Sequence, residues 1–386
     1  MRFLHIFLEN WRNFRTVDVA LRRRVFLAGP NASGKSNLLD AFRFLRDVAH
    51  PEGTFQRAVS VRGGLSAIRC LHARQPSDVC IRVAIEFAET DQWTYELRFS
   101  QDNNEIPVVK QERVWHGDEL IDSRPDAQDA GDPKRLTETH LESTSANVRF
   151  RAVAEALASI RYLHLVPHLI REPERVRRVE QDPFGADFLE QLAHMKARDP
   201  RRLEQRLARI GEALRVAVPQ FASLSVDRDV AGRPHLRARY EHWRPGAGWQ
   251  SEDQFSDGTL RLIGLLWALS DGSGPLLLEE PELSLHPAVV RLLPAMFWRL
   301  TRKRGRQVIV STHSPDLLVD EGIAPEEVLL LSPTDNGTDV AVSADDKEIA
   351  ALIAGGASLA EAVVPATAPR RLEQLSLFSD APDDGD

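Results

Sequence analysis

Cysteine is nearly absent from this chain: Cys70 and Cys80 are the only two in 386 residues, and their spacing suits no metal site. They read as reduced packing residues, which points to a cytoplasmic protein. No apolar run is long enough to span a membrane, and polar Glu9 and Asn10 interrupt the N-terminus before a signal-peptide core can form. Internal repeats are missing, which argues against a solenoid. No long heptad array is present either, so long coiled-coil arms are excluded. What remains is a chain with 42% hydrophobic residues, enough for a globular core. Its length allows two to three domains, or one large one with an insertion.

Four short motifs occur in one order. Gly29-Pro30-Asn31-Ala32-Ser33-Gly34-Lys35-Ser36 fits the P-loop pattern G-x-x-x-x-G-K-[ST]. The apolar residues 25–28 before it read as a buried strand. In residues 36–48 after it, Leu38, Leu39, Phe42 and Leu45 recur at helical spacing. Between strand and helix, backbone N–H groups can turn onto phosphate oxygens. Gly29, Asn31, Ala32, Ser33, Gly34, Lys35, Ser36 and Asn37 are therefore the candidate nucleotide-binding residues. Lys35 would reach the β- and γ-phosphates, and the Ser36 hydroxyl would bind Mg²⁺. The plainer alternative is a glycine-rich turn capping a helix.

Residues 275–278 form an apolar strand ending in Glu279 and Glu280, which delivers two carboxylates to the edge where α/β proteins bind ligands. Glu279 would hold hydrated Mg²⁺, and Glu280 would polarise the attacking water. Alone, the same residues are a strand entering a solvated acidic loop; downstream of a P-loop that reading weakens. Ser311-Thr312-His313-Ser314 follows another apolar strand, so His313 would sit on the same edge and donate to a γ-phosphate. Phe255-Ser256-Asp257-Gly258-Thr259 opens a helix over 258–269, and Ser256 is a sound helix cap. The same geometry is also an anion site, able to face a γ-phosphate held by a second subunit. Together the motifs predict an ATPase that dimerises around ATP, with Lys35, Glu280 and His313 as its catalytic residues.

With the opening Leu4-His5-Ile6-Phe7-Leu8-Glu9-Asn10-Trp11-Arg12-Asn13-Phe14 and with Glu279-Glu280-Pro281-Glu282-Leu283-Ser284-Leu285-His286-Pro287, these motifs resemble the ABC-type ATPases of the branch holding RecF, the SMC proteins and the overcoming-lysogenization-defect proteins. Within that branch the chain is similar to bacterial AAA-type predicted ATPases of the 21 class. The resemblance covers residues 1 to about 345. It implies an α/β fold: an ABC-type P-loop NTPase head with a mixed sheet, an antiparallel β layer and a short helical insertion between two lobes. It implies ATP and Mg²⁺ as cofactors and a homodimer. It makes Ser256, Asp257, Gly258 and Thr259 the signature presented in trans, and residues 279–287 the segment holding the D-loop. One departure is Glu279, where most ABC members carry Asp. Gln56 and Gln75 are the candidates for the Q-loop, neither in a matching context.

The expected organisation is an N-terminal lobe over 1–145, a helical insertion over 146–220, a C-terminal lobe over 221–350, and a terminal helix with a disordered tail over 351–386. Residues 81–99 alternate as a hairpin with its turn near 89–92. Residues 122–140 read as a flexible loop. Leu203, Leu207, Ile210 and Leu214 form a helical stripe. The net charge of −8 hides arginine-rich stretches, Arg2 to Arg24 and Arg149 to Arg209, that suit a nucleic-acid backbone or, equally, a solvated helical face. In the tail, Gln374-Leu375-Ser376-Leu377-Phe378 resembles the peptide by which bacterial proteins bind the β sliding clamp. The alternative is a terminal anchor packed on the protein itself. Three functions follow: a DNA-acting ATPase of repair or replication recruited by the clamp, an ATPase sensor of an anti-phage or toxin–antitoxin pair working with a separate nuclease, or an ATP-gated scaffold with little turnover.

Overall fold

The computed structural model describes residues 1–73, 77–172, 182–244 and 247–367. Fifteen strands among them form three sheets: β1 (Arg2–Trp11), β2 (Phe14–Ala20), β3 (Arg24–Ala28), β4 (Val79–Ala88), β5 (Asp91–Gln101), β6 (Pro107–His116), β7 (Glu119–Arg124), β8 (Arg161–Leu163), β9 (Phe221–Arg228), β10 (Pro234–Tyr240), β11 (Trp249–Ser251), β12 (Leu276–Glu279), β13 (Val308–Thr312), β14 (Val328–Thr334) and β15 (Gly337–Val342).

Alternating residues build the first sheet. β4 and β5 pair antiparallel from Val79↔Phe99 to Ala88↔Asp91, the hairpin expected from their period of two. The sheet runs β2-β1-β4-β5-β6-β7, antiparallel throughout. The central sheet runs β15-β14-β3-β13-β12-β8. It is parallel except for β15 at one edge. Its inner strands are short and apolar because both faces are covered. Val25, Leu27, Leu277 and Ile309 face the antiparallel layer and the helix Lys35–Ala49. Phe26, Ala28, Leu276, Leu278, Val308 and Val310 face the other way, toward the helices of the second half. β9, β10 and β11 make a small third sheet.

Residues 146–220 contain the helices Arg151–Ala158, Pro167–Arg171, Phe188–Arg198 and Pro200–Ala217. The stripe Leu203, Leu207, Ile210 and Leu214 is buried as its spacing requires. The same span also supplies β8, which adds to the central sheet beside β12. Residues 122–140 differ from the flexible loop that their composition suggests. They hold a helix, Ala127–Gly131, with Asp126 as its cap, and a 3₁₀ turn, Pro133–Thr137. The physical reason is a buried ion pair: Arg124 Nη2 donates to Asp129 Oδ1 at 2.7 Å, and both side chains are almost fully enclosed. Among the described residues no helix is long and apolar enough to cross a membrane. Both cysteines are buried and free, and burial pushes the Cys80 thiol up to about 12. The segment 374–378 lies outside the described residues.

Candidate functional site

β3 is buried along its whole length and delivers the glycine-rich loop to the edge of the central sheet. The turn needs left-handed backbone at Ala32 (φ 62°) and Gly34 (φ 96°). A Cβ at Gly34 would lie 2.2 Å from Asn13 Nδ2, so the loop closes against the β1–β2 turn only with glycine there. Asn13 Nδ2 donates to Ser33 O at 3.0 Å and to Thr338 Oγ1 at 2.7 Å, while Asn37 Nδ2 donates to Asn13 Oδ1 at 2.8 Å. No side chain caps the helix Lys35–Ala49. The N–H groups of its first turn are therefore left for an anion. Lys35 is buried and folds back, its Nζ donating to Gly29 O at 2.8 Å and Pro30 O at 3.0 Å. Burial lowers its pKa against the pull of Glu280, Glu282 and Glu279. Asn31, Ala32 and Ser36 are exposed at the mouth.

β12 and β13 lie side by side with Glu279 opposite Ser311, so their ends reach the loop together. Glu279 accepts hydrogen bonds from the Ser36 hydroxyl and from the Tyr162 hydroxyl. Glu280 adopts φ 44°, a sparsely populated conformation for a side-chain-bearing residue, and its N–H donates to Ser311 O at 3.1 Å. His313 Nδ1 lies 3.2 Å from Glu280 Oε1. Glu282 is buried. Its Oε1 accepts from Thr312 Oγ1 at 2.5 Å and from the His313 N–H at 3.3 Å, and burial raises its pKa. The convergent Ser36 and Glu279 oxygens suit a hard cation that keeps most of its own water, as Mg²⁺ does. Among the described residues no group of three or more His, Cys, Asp or Glu is placed to hold a metal ion by itself.

The signature residues make no hydrogen bond to this cluster among the described residues, although Gly258 packs against Ser284 just beyond it. Ser256 caps the helix Asp257–Ser270, accepting from the Thr259 N–H at 3.2 Å, and both Ser256 and Asp257 are exposed. Arg171 Nη2 braces the turn, donating to Phe255 O at 2.7 Å and lying 2.7 Å from Asp257 Oδ1. Among the described residues, no hydrogen bond joins Ser256, Asp257, Gly258 or Thr259 to the P-loop of the same chain. The structure thus brings Lys35, Ser36, Glu279, Glu280 and His313 together and leaves the signature facing outward. Gln56 Nε2 is spent on Pro107 O and Thr137 O, at 2.8 and 2.7 Å, far from a phosphate-sensing role. Gln75 lies outside the described residues. Tyr162 carries no motif signal, and Asn13 lies in the opening motif without a role of its own assigned there, yet both make close supporting bonds.

Much of the N-terminal basic charge is internally paired. Arg2 binds Glu86, Arg12 binds Asp40, and Arg24 binds Glu327. Arg22, Arg23, Arg201, Arg202 and Arg209 are exposed.

Residues 24–320 match a family model described as "AAA domain, putative AbiEii toxin, Type IV TA system". No curated protein matches the chain. Solved structures do. An SMC head bound to the C-winged helix domain of ScpA superposes with a TM-score of 0.56 at 14% identity, covering 88% of this chain and 97% of that one. An SMC head domain from Thermotoga maritima gives 0.45 at 14% identity, over 89% and 99% of the two chains. An SMC head from Pyrococcus furiosus, with an extended coiled coil and bound to the C-terminal domain of ScpA, gives 0.48 at 13% identity, over 88% and 95%. The first of these establishes the fold as that of an SMC-type P-loop NTPase head.

Proposed function

The chain belongs to this AAA-domain family, whose model spans residues 24–320, and we propose that it binds and hydrolyses ATP with Mg²⁺, dimerises around the nucleotide and acts on DNA. The observation that carries the proposal is the meeting of Ser36, Glu279, Glu280 and His313 at the mouth of an uncapped P-loop helix.

In this reading the N–H groups of residues 31–36 bind the phosphates. Lys35 exchanges the Gly29 and Pro30 carbonyls for phosphate oxygens. Ser36 and Glu279 would hold Mg²⁺, which would supply positive charge against the phosphates. Glu280 accepts the proton of the attacking water, and His313 donates a ring N–H to the γ-phosphate. Ser256 and the N–H groups behind it complete the site from the second subunit, giving a two-fold dimer with two sites. Glu280→Gln should retain ATP and trap the dimer, and Lys35→Ala should lose both. Light scattering with ATP is the test, and a monomeric Glu280→Gln at micromolar concentration would sink the sandwich.

Contact with DNA through the exposed arginines would follow phosphates rather than sequence, so anisotropy with duplex oligonucleotides should fall steeply as salt rises. Recruitment by the β sliding clamp rests on the sequence of Gln374, Leu375, Ser376, Leu377 and Phe378. A peptide of residues 370–382 that showed no heat with the clamp would remove it. The family description, which names a toxin and a toxin–antitoxin system, favours a second reading: an ATPase component of such a pair with a separate nuclease as effector. Co-purification of a nuclease encoded beside it separates the two.

A further inference from the structure

Tyr162 lies at the centre of β8, the edge strand beside β12. The parallel register sets it opposite Leu277, two residues before Glu279 and on the same sheet face. Its hydroxyl donates to Glu279 Oε2, while the Ser36 hydroxyl donates to Glu279 Oε1. Each carboxylate oxygen therefore has its own donor. The tyrosine is 7% exposed, and the Arg43 guanidinium covers its ring 4.1 Å from the centroid. Arg43 and Ser36 belong to the same helix, two turns apart, so the P-loop helix holds the tyrosine–carboxylate pair at both ends. For packing alone, phenylalanine would serve here without a buried hydroxyl to satisfy.

We propose that Tyr162 is a positioning residue for the metal-binding carboxylate: it fixes Glu279 Oε2 so that Oε1 stays aimed at the Ser36 hydroxyl, where the two oxygens would share Mg²⁺. The inference rests on the reading of Ser36 and Glu279 as the Mg²⁺ ligands. An unheld glutamate would have to be ordered when the ion binds. A partner already in place removes that cost, and loss of such outer partners typically weakens metal binding by about 10- to 100-fold.

The test uses the full chain, a fluorescent ATP analogue and MgCl₂ titrated from zero, with binding of the nucleotide as the readout. Tyr162→Phe should bind the analogue normally without Mg²⁺ and keep its unfolding temperature. The Mg²⁺ concentration giving half of the metal-dependent gain should rise about 10-fold. Glu279→Gln should abolish the gain. If Glu279→Gln abolishes it and Tyr162→Phe shifts the midpoint less than about two-fold or downward, Tyr162 only packs and the proposal falls, though the Mg²⁺ reading survives. If neither variant alters the response, the Mg²⁺ assignment of Glu279 itself fails. Should Tyr162→Phe not fold, Arg43→Gln carries the test. Uncovering the ring should raise the midpoint about three-fold, from the loss of a partly desolvated cation–π contact, and no change there overturns the proposal.

Discussion

Asp40 points inward from the P-loop helix into a ring of arginines: Arg62 Nε at 3.0 Å, Arg12 Nη2 at 3.1 Å and Arg43 Nη1 at 3.8 Å. Burial pushes its carboxyl pKa up. Arg62 first, then Arg43 and Arg12, outweigh that and hold it below the ordinary value. A carboxylate lowered in the folded state contributes stability that is present above its unfolded pKa and is lost as pH falls through the folded one. The unfolding temperature should therefore fall as pH drops from about 5 toward 3. Asp40→Asn should lose about 3 kcal/mol at neutral pH, because Arg62 stays buried with Asp47 as its remaining partner. It should also flatten the acid slope. Thermal scans across pH check both; an unchanged slope would assign it to other carboxylates such as Asp129, which Arg124 holds low. At this scale the sequence singled out Lys35, Ser36, Glu279, Glu280 and His313, each in a motif, and the fold brings them to one place. Tyr162, 117 residues from Glu279, did not show. Its part is set by which strand lies beside which, and a tyrosine in a three-residue strand leaves no pattern.

Elements with a period or a motif were readable, such as the β4–β5 hairpin, the P-loop strand and helix, and the Leu203–Leu214 stripe. Elements held by tertiary pairing were not. Residues 122–140 carry the composition of a loop, and Arg124 with Asp129 overrides it. β8 is too short to announce a strand within a helical stretch. The signature helix combines both cases: its cap is legible, but its seat is not. A Cβ on Gly258 would lie 2.5 Å from the carbonyl oxygen of Ser284, in the segment after Glu280, where Ser284 itself adopts φ 61°. A backbone atom cannot rotate away, so Gly258→Ala must tilt the helix start, at about 1–3 kcal/mol. Gly264→Ala, on the same helix, would meet Leu165 Cδ1 at 2.8 Å, and a leucine side chain can turn aside. Urea unfolding should show the larger loss for Gly258→Ala, with weaker ATP-dependent dimerisation in that variant alone. Equal losses would mean that the segment around Ser284 yields and does not seat the helix start.

The whole molecule presents two incomplete surfaces. The P-loop edge holds Lys35, Glu279, Glu280 and His313 but no signature, while Ser256 and Asp257 are exposed elsewhere with no phosphate-binding partner of their own chain. In the proposed dimer, head-to-tail pairing of two copies would complete both surfaces at once and close on itself. This geometry predicts complementation. Lys35→Ala should have a dead P-loop and a sound signature; Ser256→Arg should have a sound P-loop and a blocked signature. Each alone should be inactive. In a mixed dimer one site joins the sound P-loop to the sound signature, and the other site carries both lesions. Each mixed dimer has one working site of two, so turnover should rise above the sum of the separate variants and reach at most about half of the wild-type rate. The measurement is phosphate release at fixed total protein across mixing ratios, with the maximum expected at one to one. A rate no higher than the sum of the separate variants would mean that Ser256 does not serve the other subunit's nucleotide, and the exposed helix start would then be a cap alone.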